Sequence, residues 1–144
     1  MADPEHIYHW YRLDDRITTS GQPTEQQLIE IALMGARHVI NLAPHDHATA
    51  LLDEAASVRG TGMSYTNIPV VFQNPTSDDF SRFCSVMAGV ESVPVHVHCA
   101  ANYRVAAFLY RYRCKVLGVD DARARADLDK VWRPEGVWVD FIKG

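Results

Sequence analysis

A chain of 144 residues, 47% hydrophobic and 22% charged, has the size and make-up of one soluble globular domain, expected to occupy residues 1–144. Its net charge of −4 argues against a nucleic-acid partner, although Arg104, Arg111, Arg113 and Lys115 mark one locally basic stretch. Met1 to His6 has neither a basic region nor an apolar core and no run approaches a membrane span, so neither a signal peptide nor a membrane partner is expected, and the location is read as cytoplasmic.

Ile7 to Leu13 is rich in aromatic residues and reads as a strand. Asp14 and Asp15 make a turn, and Ile17 to Thr19 returns as the second strand of an N-terminal β-hairpin. Ser20-Gly21-Gln22-Pro23-Thr24 is a turn cluster ending in an N-cap for a helix over 25–34, which Gly35 stops. His38 to Leu42 is a nearly continuous apolar run, as expected of a parallel strand buried on both faces. A loop through Pro44-His45-Asp46-His47 then leads to a helix from about Thr49 to Val58, and Ser64 to Val71 is the next strand. A helix over 78–89, a strand over 93–98, a helix over 105–117 and a further helix over 120–131 follow. Trp132, Pro134 and Trp138 then form an aromatic cluster expected to pack on the core. This alternation predicts an α/β fold with a mainly parallel sheet of four or five strands flanked by helices, whose active groups lie at the C-terminal ends of the strands.

Cys99 falls at such an end. Val93, Val95 and Val97 alternate as in a short buried strand, and the run after Arg104 is helical, so Cys99 lies between a strand's C-terminus and a helix's N-terminus. The first N–H groups of a helix have no intrahelical partner and its dipole is positive there, so such a loop suits a thiolate or a bound oxyanion. Arg104 adds a permanently charged planar fork able to grip a phosphate or sulfate with two parallel hydrogen bonds. The plainer alternative is a buried cysteine beside an arginine paired elsewhere. Cys84 and Cys114 sit among apolar helical positions and read as core fillers, and three widely spaced cysteines make no disulfide framework.

His98-Cys99 followed by Arg104 resembles the signature of the cysteine-dependent phosphatases, in which a thiolate attacks phosphorus and a phosphocysteine forms. Those enzymes usually carry a loop one residue longer, with Ser or Thr after the arginine. Here Ala100, Ala101, Asn102 and Tyr103 fill the loop and Val105 follows it. Asn102 is the residue nearest to the usual mid-loop glycine, since Asn tolerates positive φ. The short loop is also similar to that of rhodanese-like sulfurtransferases, where the cysteine carries a persulfide.

Ser20-Gly21-Gln22-Pro23, Val39-Ile40-Asn41-Leu42 and Ile68-Pro69-Val70, in this order before the cysteine loop, extend the resemblance over almost the whole chain. It points to the bacterial protein tyrosine phosphatase-like proteins related to the beta-lactamase-hydrolase-associated domain. The resemblance implies a compact dual-specificity-phosphatase-like fold and a phosphorylated small molecule or protein, or another small oxyanion, as partner. Cys99 would be the nucleophile, the N–H groups of Ala100 to Arg104 the phosphate cradle, Arg104 the clamp on the transition state, and His98 a residue that helps hold the loop and favour the thiolate. No cofactor or metal is implied; the His96/His98 and His45/His47 pairs offer a weak alternative, a metal site, since they lack a fixed partner spacing.

An acid must protonate the leaving oxygen, a contribution of roughly 100- to 10,000-fold. Asp78 and Asp79, ahead of Asp46, are the candidates, although acidic residues in a helix's first turn are favoured by its dipole without any catalytic role. Two other functions stay open: persulfide transfer by Cys99, with Arg104 orienting an anionic donor such as thiosulfate, and phosphate binding without turnover by a pseudophosphatase.

Overall fold

The computed structural model describes residues 2–144. One five-stranded sheet, in the order β1-β2-β5-β3-β4, organises them. β1 (Tyr11–Arg12) runs antiparallel to β2 (Ile17–Ser20), and the carboxylate of Asp14 accepts from the N–H groups of Arg16 and Ile17 to close the turn between them. The expected strand from Ile7 is cut to two residues because His9 adopts a left-handed conformation, φ 52°, which turns the chain out of the pleat.

Thr24 caps α1 (Glu25–Leu33), with Gln27 returning the bond in a capping box, and Gly35 follows at φ 112°. β3 (His38–Asn41) is nearly enclosed, as its apolar run predicts. The following helix, α2 (Glu54–Arg59), starts five residues later than the expected Thr49, because the Asp53 side chain caps it and the chain from Pro44 to Leu52 forms turns instead. β4 (Ser64–Asn67) is shorter than the expected strand to Val71. Ile68 and Val70 still donate to the carbonyls of Asn41 and Leu42, but Pro69 between them has no N–H for a regular ladder.

Thr76 caps α3 (Ser77–Gly89), β5 (Val95–His98) follows, and α4 (Tyr103–Lys115) begins directly after the cysteine loop. α5 (Asp121–Val131) and α6 (Val137–Phe141) complete the chain. β5 inserts between β2 and β3 and is parallel to both, which brings the C-terminal ends of three strands together around Cys99.

The sheet is covered unequally. Val95, Val97 and Ile40 join Phe83, Phe108, Leu128 and Trp138 in the larger core under α3 to α6. Val39, Leu28, Ile31 and Val58 form a smaller one under α1 and α2. The Val-His-Val-His pattern of β5 follows from this: the valines fill the thick side and both histidines face the thin one. The aromatic cluster packs as expected, with Trp132 and Trp138 against Phe72 and the Trp138 indole donating to the Phe72 carbonyl.

The basic stretch of α4 does not form one patch, because the helical period spreads it over several faces. Arg111 lies over the rings of Phe80 and Phe141, Arg113 pairs with Asp127 at 2.5 Å, and Arg104 is buried at the loop. Among the described residues no helix is long and apolar enough to cross a membrane.

Candidate functional site

Cys99 leaves β5 at the point where both neighbouring strands end. Its own N–H reaches the Ser20 carbonyl at 3.4 Å, and Leu42 donates to the His98 carbonyl at 2.8 Å. The chain then turns back at Asn102, φ 71°, a conformation Asn accepts more readily than most residues. The Asn102 amide anchors the turn by donating to the His9 carbonyl and to Thr19 Oγ1, both at 2.9 Å.

The four carbonyls from Cys99 to Asn102 are all engaged. They take hydrogen bonds from the His98 ring (3.2 Å), the Gln22 N–H (3.1 Å), the His9 ring (2.8 Å) and the Ala106 N–H (3.0 Å), in that order. In contrast, among the described residues none accepts a hydrogen bond from the N–H groups of Ala100, Ala101, Asn102, Tyr103, Arg104 or Val105. A loop whose carbonyls are tied back and whose amides are left over, at the start of a thirteen-residue helix, is an anion cradle in its electrostatics.

Ser20-Gly21-Gln22 braces that loop from the side. A Cβ on Gly21 would lie 2.6 Å from the Ala100 carbonyl oxygen and 2.5 Å from Tyr8 Cδ2, so only glycine allows the approach. Gly21→Ala is therefore expected to push the loop away from β2, lowering stability by about 1–3 kcal/mol. Chemical denaturation of the variant, with phosphate titrated into the folded protein, would measure both the loss of stability and the weakened anion binding.

Arg104 reaches across to the segment between β4 and α3. Its Nη1 donates to the Val70 carbonyl at 2.8 Å and its guanidinium lies 5.6 Å from the centre of the Phe72 ring. Nε is buried without a partner, and no acceptor among the described residues meets Nη2. Nε and Nη2 form the edge of the fork that grips a carboxylate or phosphate with two bonds, so the edge suited to an oxyanion is the one left over. Tyr103 flanks the loop and stacks on Trp132 with ring centres 4.7 Å apart.

The carboxylates are placed less favourably. Asp79 accepts from the Thr76 N–H at 3.1 Å and so serves the cap of α3, while Asp78 and Asp46 are exposed. Two side chains that the sequence did not single out, or not as loop groups, lie closer in. Burial first, then the charges of Arg104 and His98, hold the His47 ring below its usual pKa, and its Nε2 is enclosed without a partner. Glu54, at the start of α2, is buried and bonds His98 Nε2 at 2.7 Å. Nothing in local sequence distinguishes Glu54 from any acidic residue in a first helical turn.

Beneath the loop, His96 is stacked under Trp10 at 5.3 Å. Ser20 Oγ donates to the Gly21 carbonyl, so it accepts from His96 Nε2, while the Thr18 hydroxyl meets Nδ1 at 2.8 Å. Burial and then the charge of His98 hold His96 well below its ordinary pKa, and the Thr18 hydroxyl is able to donate to the unprotonated Nδ1 of the neutral ring. A histidine neutral in the fold but protonated in the unfolded chain contributes stability above its ordinary value of 6.5, and that contribution is lost as pH falls below it. The expected loss is about 1.4 kcal/mol per pH unit for one proton. Denaturation between neutral and mildly acidic pH would show this slope reduced by one proton in His96→Gln; an unchanged slope would assign the loss to other groups.

The profile of a family described as "DSP-PTPase phosphatase fused to NAD+ Kinase" matches residues 10–133. A beta-lactamase hydrolase-like protein of Xylella fastidiosa is 33% identical over 101 residues, 68% of this chain and 23% of that protein. The chain spans about a quarter of the length of such curated relatives. A crystal structure of a DUF442 protein from Shewanella putrefaciens CN-32 superposes with a TM-score of 0.85 at 31% identity, covering 96% of this chain and 91% of that one. TpbA of P. aeruginosa in complex with pTyr shares the fold at TM-score 0.69 and 18% identity, over 90% of this chain and 75% of its own.

Proposed function

Since the chain belongs to the DSP-PTPase phosphatase family, we propose that it hydrolyses a phosphate monoester through a phosphocysteine on Cys99. The observation that carries this reading is the run of N–H groups from Ala100 to Val105 with no acceptor among the described residues, beside the unpaired Nε–Nη2 edge of Arg104.

The Cys99 thiolate attacks phosphorus in line with the leaving oxygen. The S–P bond forms, the ester P–O bond breaks, and the leaving oxygen takes a proton from an acid. Water then attacks the phosphocysteine, orthophosphate leaves and the thiolate returns. Ala100, Ala101, Asn102, Tyr103 and Arg104 supply amide donors to the equatorial oxygens, and the Arg104 edge takes the charge that builds on them. His98 supports the loop through the Cys99 carbonyl.

Asp78 and Asp79 are the proposed acids, ahead of Asp46. They stand in the first turn of α3, the helix that follows the segment Arg104 contacts through Val70 and Phe72. The substrate is a phosphorylated small molecule or protein, in keeping with TpbA, whose structure holds pTyr. Residues 1–144 are proposed to form one phosphatase-like domain that acts in the cytoplasm without cofactor or metal.

The four-residue spacing between Cys99 and Arg104 favours one second reading, persulfide transfer, for which no leaving-group acid is needed. Steady-state hydrolysis of an aryl phosphate under reducing conditions, beside thiosulfate sulfurtransfer by the same preparation, separates the two. Phosphate release that depends on Cys99 supports the phosphatase, whereas Cys99-dependent sulfur transfer without phosphate release overturns it.

A further inference from the structure

We propose that Glu54 is a positioning residue for Cys99: from α2 it holds His98 with both ring nitrogens donating, and so keeps a full positive charge under the loop that carries the sulfur. The consequence for catalysis rests on the phosphatase reading; the charge state itself does not.

The argument is one of donors and acceptors. His98 has two partners, the Glu54 carboxylate at Nε2 (2.7 Å) and the Cys99 carbonyl at Nδ1 (3.2 Å). A carbonyl only accepts, and so does an ionised carboxylate, so the ring satisfies both only as the doubly protonated imidazolium. The other way to make both bonds puts the proton on Glu54 and leaves His98 neutral.

The surroundings of Glu54 oppose that alternative. Its other oxygen accepts from the Gln22 amide at 2.7 Å, which favours the ionised form. Burial alone would raise the carboxyl, yet the hydrogen bond and charge of His98, with the bond from Gln22, outweigh it and hold the group below its ordinary pKa. Both side chains are fully enclosed, at 0% and 1% exposure, so water cannot supply the missing donors.

His96, two residues earlier on the same strand, is the contrast. Its partners are two hydroxyls, which can donate as well as accept and so demand no second proton, and burial holds the ring below its ordinary pKa. The partners of His98, a carboxylate and a carbonyl, offer no such latitude.

The other ionisable groups around the pair come from every neighbouring element. Tyr65 on β4 is pushed up by burial and then by the Glu54 charge, which keeps it neutral. His47, in the loop before α2, sits below its usual value, and Arg104 stands on α4. Among the described residues His98 is the only cationic side chain paired with Glu54, so removing the carboxylate removes what holds its second proton.

The ring bonds the carbonyl of Cys99 itself, so its charge acts on the first residue of the loop and adds to that of Arg104 and the helix start. The thiolate thereby gains a fixed counter-charge that does not compete with substrate for the cradle.

Two measurements on the full chain test this. Nitrogen-15 shifts of His98 at neutral pH are expected to show both ring nitrogens protonated in the unaltered protein and one in Glu54→Gln. The thiolate ultraviolet absorbance at one fixed, mildly acidic pH, taken as the difference from a Cys99→Ala protein, is expected to be severalfold lower in Glu54→Gln. Glu54→Asp is expected to recover part of that loss.

An unprotonated His98 nitrogen in the unaltered protein would overturn the proposal, and that measurement needs no variant to fold. So would a thiolate absorbance unchanged in folded Glu54→Gln. Neither readout uses substrate: absent turnover sinks the phosphatase reading and leaves the pair standing, while a singly protonated His98 sinks the pair with turnover intact.

Discussion

Cys99→Ser is expected to lower aryl phosphate turnover at least about ten-thousandfold while leaving orthophosphate affinity within about threefold. The two quantities separate because different atoms produce them. Turnover needs a sulfur anion that can form and release a bond to phosphorus, and a serine hydroxyl in this loop has no base to activate it. Binding needs the amides from Ala100 to Val105 and the free edge of Arg104, none of which the substitution removes. Steady-state rates and calorimetric titration with orthophosphate measure both on one preparation. Turnover that survives the change would remove Cys99 from the chemistry; lost turnover together with lost binding would mean that the loop had collapsed, which the denaturation midpoint would reveal.

The second large effect is expected at Arg104. Arg104→Lys keeps the charge but replaces the two-donor edge with a single ammonium, and it leaves the Val70 carbonyl short of the donor it has at 2.8 Å. A fall in kcat/KM of about a hundred- to a thousandfold is expected, mostly in kcat, because the fork matches the planar equatorial oxygens of the transition state better than the tetrahedral ground state. An effect confined to KM would assign Arg104 to ground-state binding alone. An aryl substrate suits the comparison, since a good leaving group makes small demands on the acid and isolates the contribution of the arginine.

The parts of the fold legible in sequence are those specified locally. The alternating valines of β5, the Thr24 cap and the continuous apolar run of β3 each read correctly because strand pleat, cap chemistry and two-sided burial act over a few residues. Asn102 belongs with them: its tolerance of positive φ is a property of the residue, and the loop turns there at φ 71°. The first strand fails for a long-range reason, since His9 leaves the β region and its ring then bonds Ala101, ninety-two residues away. Glu54 is hidden in the same manner. Its partner is forty-four residues distant, and only the insertion of β5 beside β3 brings them together. For Asp79 the sequence offers two roles, and the one seen in the hydrogen bonds is the cap.

The place of β5 in the sheet also bears on how the molecule folds. Its two neighbours, β2 and β3, are both made earlier in the chain and do not pair with each other, so a growing chain that has not reached Val95 has a gap where its central strand belongs. Closure of that gap joins contacts of long sequence separation, the kind that form late in folding. The carbonyl anchors at His9 and Gln22 reach the loop only in the closed sheet. A partly folded chain therefore lacks the anion cradle, which arises with the closed sheet in one cooperative step.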